Sequence, residues 1–191
     1  MSKDSSCIFN SEERCSTQEI EFPFNSPITN SFLKSIFITL MDVISNNHFK
    51  DSYNHKLKVQ SKQQFTSKKI QKISLGDYLS RIIKYTKIDN STLIMALIYT
   101  DRFCKNNKIF LTEFNVQWIL FSAIIIAIKY NEDKYYSDLY YTKIGGLKLK
   151  KLNKLEMKFL IWISFKLFID LKDYEKYETI LCSNLNEFCN N

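Results

Sequence analysis

The sequence predicts an all-α protein: five helices packed between residues 74 and 170, with an extra N-terminal helix before them and a short C-terminal helix after them. Three observations carry this. Only three glycines and two prolines occur in 191 residues, so few positions force the chain out of helical conformation. Apolar residues recur at spacings of three and four through one segment after another. The longest near-uncharged run, Phe114 to Ile128, is too long for an ordinary strand, is interrupted by Asn115, Gln117 and Ser122, and falls short of the roughly 20 residues that span a bilayer. It reads as a core helix enclosed by its neighbours.

Taken in order, residues 1 to 28 mix Ser, Glu, Asn and Cys without a sustained period, and Pro23 and Pro27 punctuate their end, which predicts a disordered segment. From an N-cap at Asn30 or Ser31, the stripe Phe32, Leu33, Ile36, Phe37, Leu40, Met41 and Ile44 predicts the N-terminal helix. Residues 46 to 73 are polar and lysine-rich, too long for an ordinary connection, and read as a partly ordered excursion or a flexible loop, so 29 to 73 form one N-terminal region. Ser74 with Asp77 three positions on resembles a capping box, and opens the first helix of the block with Leu75, Tyr78, Leu79, Ile82 and Ile83 inward.

The second helix starts at Asn90 or Ser91 on the stripe Leu93, Ile94, Leu97 and Ile98, and the third follows Thr112. A short fourth helix runs from Ser137 or Asp138 to Ile144, with Gly145 and Gly146 as a left-handed cap and Leu147 as hydrophobic closure. The fifth runs from Leu149 to Leu167 on Leu152, Leu155, Phe159, Trp162 and Ile163. Residues 171 to 191 carry a last amphipathic piece through Tyr174, Tyr177, Ile180 and Leu181.

Composition narrows the function classes. The five cysteines, at 7, 15, 104, 182 and 189, form no CxxC pair, and only His48 and His55 are present to complete a metal site, so they read as reduced thiols of an intracellular protein. The first 30 residues carry Asp4, Glu12 and Glu13 and no continuous apolar stretch, so no secretory signal is expected. There is no Gly-rich phosphate loop and no nucleophile motif, which argues against an enzyme and against a small-molecule substrate, cofactor or metal. The net charge of +7 permits attraction to nucleic acid, anionic lipid or acidic proteins.

Four charges on the apolar stripes point further. Asp101 lies four residues after Leu97 and seven after Ile94, so an ideal helix turns its carboxylate toward the core, where it needs a cation. Arg81, between Tyr78 and Tyr85 on the preceding helix, is the candidate for a structural ion pair with it. Lys129 stands four after Ile125, either as a cation complementing the helix dipole or as a functional group. Glu156, four after Leu152 and three before Phe159, is either a stripe-boundary residue or a functional one.

In their context these residues look specific. The stretches SLGDYLSRIIKYTKI at 74 to 88, STLIMALIYTDRF at 91 to 103, AIKYNED at 127 to 133, YYTKIGGLKLKKLNKLEMKFL at 140 to 160 and ISFKL at 163 to 167 resemble a cyclin box, most similar to the P-type or U-type, phosphate-regulon-like group. The resemblance covers about half the chain, Tyr78 to Ile169. It implies a five-helix cyclin-box bundle and a non-catalytic subunit that binds and activates a cyclin-dependent Ser/Thr protein kinase as a heterodimer. It also implies that Arg81 pairs with Asp101 inside the box, and that Lys129 and Glu156 face the kinase and hydrogen-bond main-chain groups around its αC helix.

Lys84 and Lys87 stand where many cell-cycle cyclins carry an apolar substrate-docking patch, so that mode is not expected. The 24 residues after Leu167 leave no room for a second helical repeat, which implies a single box. In the loop Asn131 to Ser137, Asp133 is either a solvated turn residue or a contact to arginines of the kinase activation segment. Lys150, Lys154 and Lys158, with Lys148 and Lys151 nearby, form either a solvated face or a site for acidic substrates or an anionic regulator. The alternative function is a cyclin-fold module acting in transcription or on nucleic acid without a kinase; the lysines lack interleaved aromatics, which disfavours it. No membrane association is expected, and the sequence places the chain in the nucleus, the cytoplasm or both.

Overall fold

Helix α4 (Val116–Asn131) is the axis of the molecule, and every residue from Val116 to Ile128 is buried. A helix apolar on all sides has no face for water and must be surrounded. In the computed structural model, which describes residues 27–51, 65–67 and 69–189, α3 (Asn90–Asn107) and α6 (Leu149–Trp162) pack against it. The described residues form seven α-helices and no strand. Burying each large aliphatic side chain of α4 contributes about 1.5–3 kcal/mol, so this one helix anchors the core.

The remaining helices close around that centre. α2 (Leu75–Thr86) packs on α1 (Pro27–Asp51) and on α5 (Asp138–Gly145), while α7 (Leu171–Cys189) lies across α1 and α3. Ser74 caps α2 by accepting from the Asp77 amide at 3.1 Å and donating to its carboxylate at 2.7 Å. α3 is capped one residue earlier than its sequence suggests, by Asp89 accepting from the Thr92 amide at 2.8 Å. Gly146, at φ 66°, closes α5 in the left-handed conformation, and the Leu147 amide reaches back to the Thr142 carbonyl. Gly145 is needed for a different reason: a Cβ there would lie 2.5 Å from the Phe121 ring, so only glycine lets α5 approach α4.

Four sequence expectations change. α1 begins at Pro27, a residue suited to a first helical turn, and continues to Asp51, beyond the predicted loop start at 46. Its extension is held by Asn47, which is buried and donates to the Leu111 carbonyl at 3.2 Å. Phe65, inside the supposedly polar loop, is buried among Phe103, Phe159 and Trp162, with centroids 4.9, 6.3 and 5.6 Å away. α6 ends at Trp162 rather than Leu167, because Ser164 and Phe165 both take left-handed φ, 56° and 55°.

The connection after α6 is held in place from α3. Tyr99 donates to the Leu167 carbonyl, and Arg102 donates to the carbonyls of Lys166 and Phe168. The predicted disordered segment 1–28, apart from the backbone of Pro27 and Ile28, lies outside the described residues, as do Cys7, Cys15 and His55. Cys104 is buried and Cys182 exposed. Among the described residues no helix is long and apolar enough to cross a membrane.

Candidate functional site

Lys129 and Glu156 come together. The last turn of α4 carries Lys129 and the middle of α6 carries Glu156; packing of the two helices brings Nζ to 2.7 Å from Oε1. Asp138, in the first turn of α5, contacts the same ammonium at 2.5 Å, so one lysine joins three helices. Burial raises the Glu156 pKa above the usual carboxylate range, and the nearby ammonium offsets only part of that. Burial alone would lower the Lys129 pKa, but the contacts with Asp138 and Glu156 outweigh it and hold it above its ordinary value.

This cluster sits at the rim of an open groove of about 340 Å³ between α4 and α6, lined by Ile126, Tyr130, Asn153, Met157, Leu160 and Leu167 as well as the two charges. Tyr130 and Met157 are half exposed on its edges. An apolar trough with a few fixed polar groups at one end can accept an apolar side chain and form hydrogen bonds at its charged end. The ammonium has three donors and two carboxylate neighbours, which leaves it one donor to offer.

Arg81 and Asp101 do not come together. Among the described residues no ion pair joins them. Arg81 lies over the ring of Tyr78, its own neighbour one turn back, at 5.4 Å, and its Nε is buried without a hydrogen-bond partner, as is the Tyr78 hydroxyl. Asp101, 2% exposed, accepts from the Tyr177 hydroxyl at 2.6 Å and lies 3.4 Å from Lys105. The reason is topological. α2 packs on α1 and α5, whereas α7 packs on α3 and brings Tyr177 to Asp101. Periodicity turns the Asp101 carboxylate inward, and it is buried there, but Tyr177 of α7 and Lys105 of α3 lie beside it rather than Arg81 of α2.

The 131–137 loop divides its two acids. Glu132 accepts from the Thr92 hydroxyl at 2.6 Å, and Asn131 donates to that same hydroxyl at 2.9 Å, which fastens the loop to the start of α3. Asp133 is exposed beside it. The residue that sequence reasoning missed is Asp138, which it used only as a helix start. A carboxylate in a first turn complements the helix dipole, and that ordinary role hid its contact with Lys129.

The described residues form an all-helical box with a lysine–glutamate pair across two of its helices. The family model for cyclins matches residues 11–167, and the chain belongs to the cyclin family. Within that family it is similar to the U-type and P-type cyclins and to fungal PHO85 cyclins. It is 40% identical over 114 residues to Cyclin-U2-1 of Arabidopsis thaliana, covering 59% of this chain and 51% of that one. PHO85 cyclin-like protein psl1 of Schizosaccharomyces pombe is 36% identical over 121 residues, 62% of this chain and 50% of its own. Cyclin-U4-3 of Arabidopsis thaliana is 31% identical over 161 residues, 84% of this chain and 70% of its own. The chain thus spans about half the length of the first two relatives.

Proposed function

We propose that this chain is a non-catalytic regulatory subunit that binds and activates a cyclin-dependent Ser/Thr protein kinase. The observation that carries the reading is the Lys129–Glu156 pair at the rim of the apolar groove between α4 and α6. The groove receives an apolar side chain of the kinase αC helix, Lys129 donates its remaining N–H to a main-chain carbonyl, and the second Glu156 oxygen accepts from main-chain amides. Two relatives named as PHO85 cyclins support the same class of partner.

Activation follows from rigidity. A kinase is competent when its αC glutamate pairs with the strand-three lysine, and a docked surface that fits only that position of αC shifts the population toward it. Moving such an equilibrium from 1:99 to 99:1 needs about 5.5 kcal/mol of differential binding. A groove in a packed helical body supplies this without paying to order a loop. Asp133, exposed on the anchored 131–137 loop, is placed in this reading against arginines of the activation segment, where its charge stands in for that of a phosphate.

The test is recovery of the tagged full chain from cells with an assay of co-purifying Ser/Thr kinase activity. Kinase activity is expected with the wild type and is expected to be lost with the Lys129→Ala, Glu156→Ala double variant. Recovery of no kinase, or an unchanged complex with the double variant, overturns the reading. Asp133→Asn, assayed with a kinase whose activation loop cannot be phosphorylated, is expected to lower activity while leaving binding in place; unchanged activity removes Asp133 from the account.

A further inference from the structure

We propose that the lysine-lined edge of α6 is a docking surface for an extended acidic peptide segment. The chain carries a net charge of +7, and the stretch from Lys143 to Lys158 alone holds six lysines against one acid, Glu156, for a net +5. That single acid is already matched by Lys129. Residues 56 to 72 carry a comparable excess, six lysines and no acid, but in the stretch ending at Lys158 the lysines recur along one helix face.

Two of the six lysines have local roles. Lys143 lies in the last turn of α5, where a cation complements the dipole, and Lys151 lies over the Trp118 ring at 3.7 Å. The other four, Lys148, Lys150, Lys154 and Lys158, form no ion pair among the described residues, and the first three are exposed. Their placement is unfavourable for the helix itself. Lys148 is the N-cap residue and makes no side-chain cap, Lys150 lies in a first turn that contains no acid, and the dipole there is already positive. Lys150, Lys154 and Lys158 repeat a like charge at every fourth position, which repels along the face. A bound anionic chain relieves both conflicts at once.

Geometry selects the form of that chain. Charges four residues apart on a helix are about 6 Å apart along its axis. Alternate residues of an extended peptide are spaced by about 6.6 Å, so acids at every second position meet the three lysines in register. Nucleic acid fits less well: between residues 143 and 161 the sole aromatic side chain is Phe159, which is buried, so no stacking platform accompanies the charge. Exposed Met157 and Ile161 beside the lysines offer aliphatic contact instead.

The experiment uses the full chain and a fluorescent peptide of about twelve residues alternating Glu and Ser, with binding read by anisotropy. The Lys150→Ser, Lys154→Ser, Lys158→Ser variant is compared with a control of equal charge change, Lys166→Ser, Lys172→Ser, Lys176→Ser. The α6 variant is expected to weaken binding at least about tenfold and the control less than about twofold, with a single-stranded oligonucleotide of similar length bound more weakly than the peptide. Both variants are expected to melt with the wild type, since all these side chains are on the surface. Equal loss in the two variants, no loss in either, or tighter binding of the oligonucleotide through the same lysines overturns the proposal. Lys129→Ala, Glu156→Ala is expected to bind the peptide as the wild type does, which separates this surface from the groove.

Discussion

The hydroxyl of Tyr177 donates to the buried carboxylate of Asp101 at 2.6 Å, joining two residues 76 positions apart. Asp101 is 2% exposed, and this bond ties the C-terminal helix α7 into the face of α3. Tyr177→Phe keeps the ring and removes the donor, so the buried carboxylate loses this hydrogen bond. A loss of about 1–3 kcal/mol is expected, read as a fall in melting temperature of several degrees. A melting curve unchanged from wild type shows that the bond contributes nothing.

Arg81 behaves in the opposite way. Its guanidinium lies on the Tyr78 ring, with Nε buried and unbonded, so its removal strands no carboxylate. Arg81→Met, which keeps the aliphatic stem, is expected to change stability by less than about 1 kcal/mol in either direction. A loss of about 3–5 kcal/mol, the cost of breaking a buried ion pair, restores the pairing with Asp101 expected from the sequence.

Burial raises the Glu156 pKa in the fold, so between the ordinary glutamate range and that raised value the folded state binds more protons than the unfolded one. Stability contributed by this group therefore falls as pH rises through that window. Glu156→Gln is expected to melt above the wild type at pH 7, with the gap closing at acid pH below the ordinary glutamate range, where both states are protonated. In the proposed complex the same substitution weakens kinase binding, because an acceptor for main-chain amides is lost. A variant that melts lower than wild type at pH 7 shows that Lys129 outweighs the burial penalty.

Gly145→Ala places a methyl 2.5 Å from the ring of Phe121, which is fully buried. Helix propensity favours alanine by up to about 1 kcal/mol, but overpacking a core costs about 1–3 kcal/mol, so net destabilisation is expected. Gly145→Ala combined with Phe121→Leu is expected to recover part of the loss through coupling of the two sites. Additive losses in the double variant separate the two positions.

The parts of this fold that could be read from the sequence are those in which local chemistry decides the outcome. Periodicity found each helix, Ser74 and Gly146 marked a start and a stop, and the apolar run through Ile128 located the central helix. What could not be read required knowing which helices touch. The Asp101 stripe is visible from its neighbours in sequence, whereas Tyr177 arrives from 76 residues away. Asp138 is an unremarkable helix-start residue until α5 is laid beside Lys129. The end of α6 has no glycine or proline to announce it; Ser164 and Phe165 adopt left-handed backbone while α3 holds the carbonyls that follow.

Whether the groove between α4 and α6 is the kinase contact is decided by the affinity of the chain for a co-purified kinase, together with the phosphoryl-transfer rate it induces, for wild type and for Lys129→Ala, Glu156→Ala. Two charge-assisted contacts at about 1.5–3 kcal/mol each predict a loss of affinity of at least about a hundredfold, and a parallel loss of activation at equal concentration. Full affinity and full activation by the double variant, with its helical fold intact, would place the kinase contact elsewhere on the molecule and contradict the account.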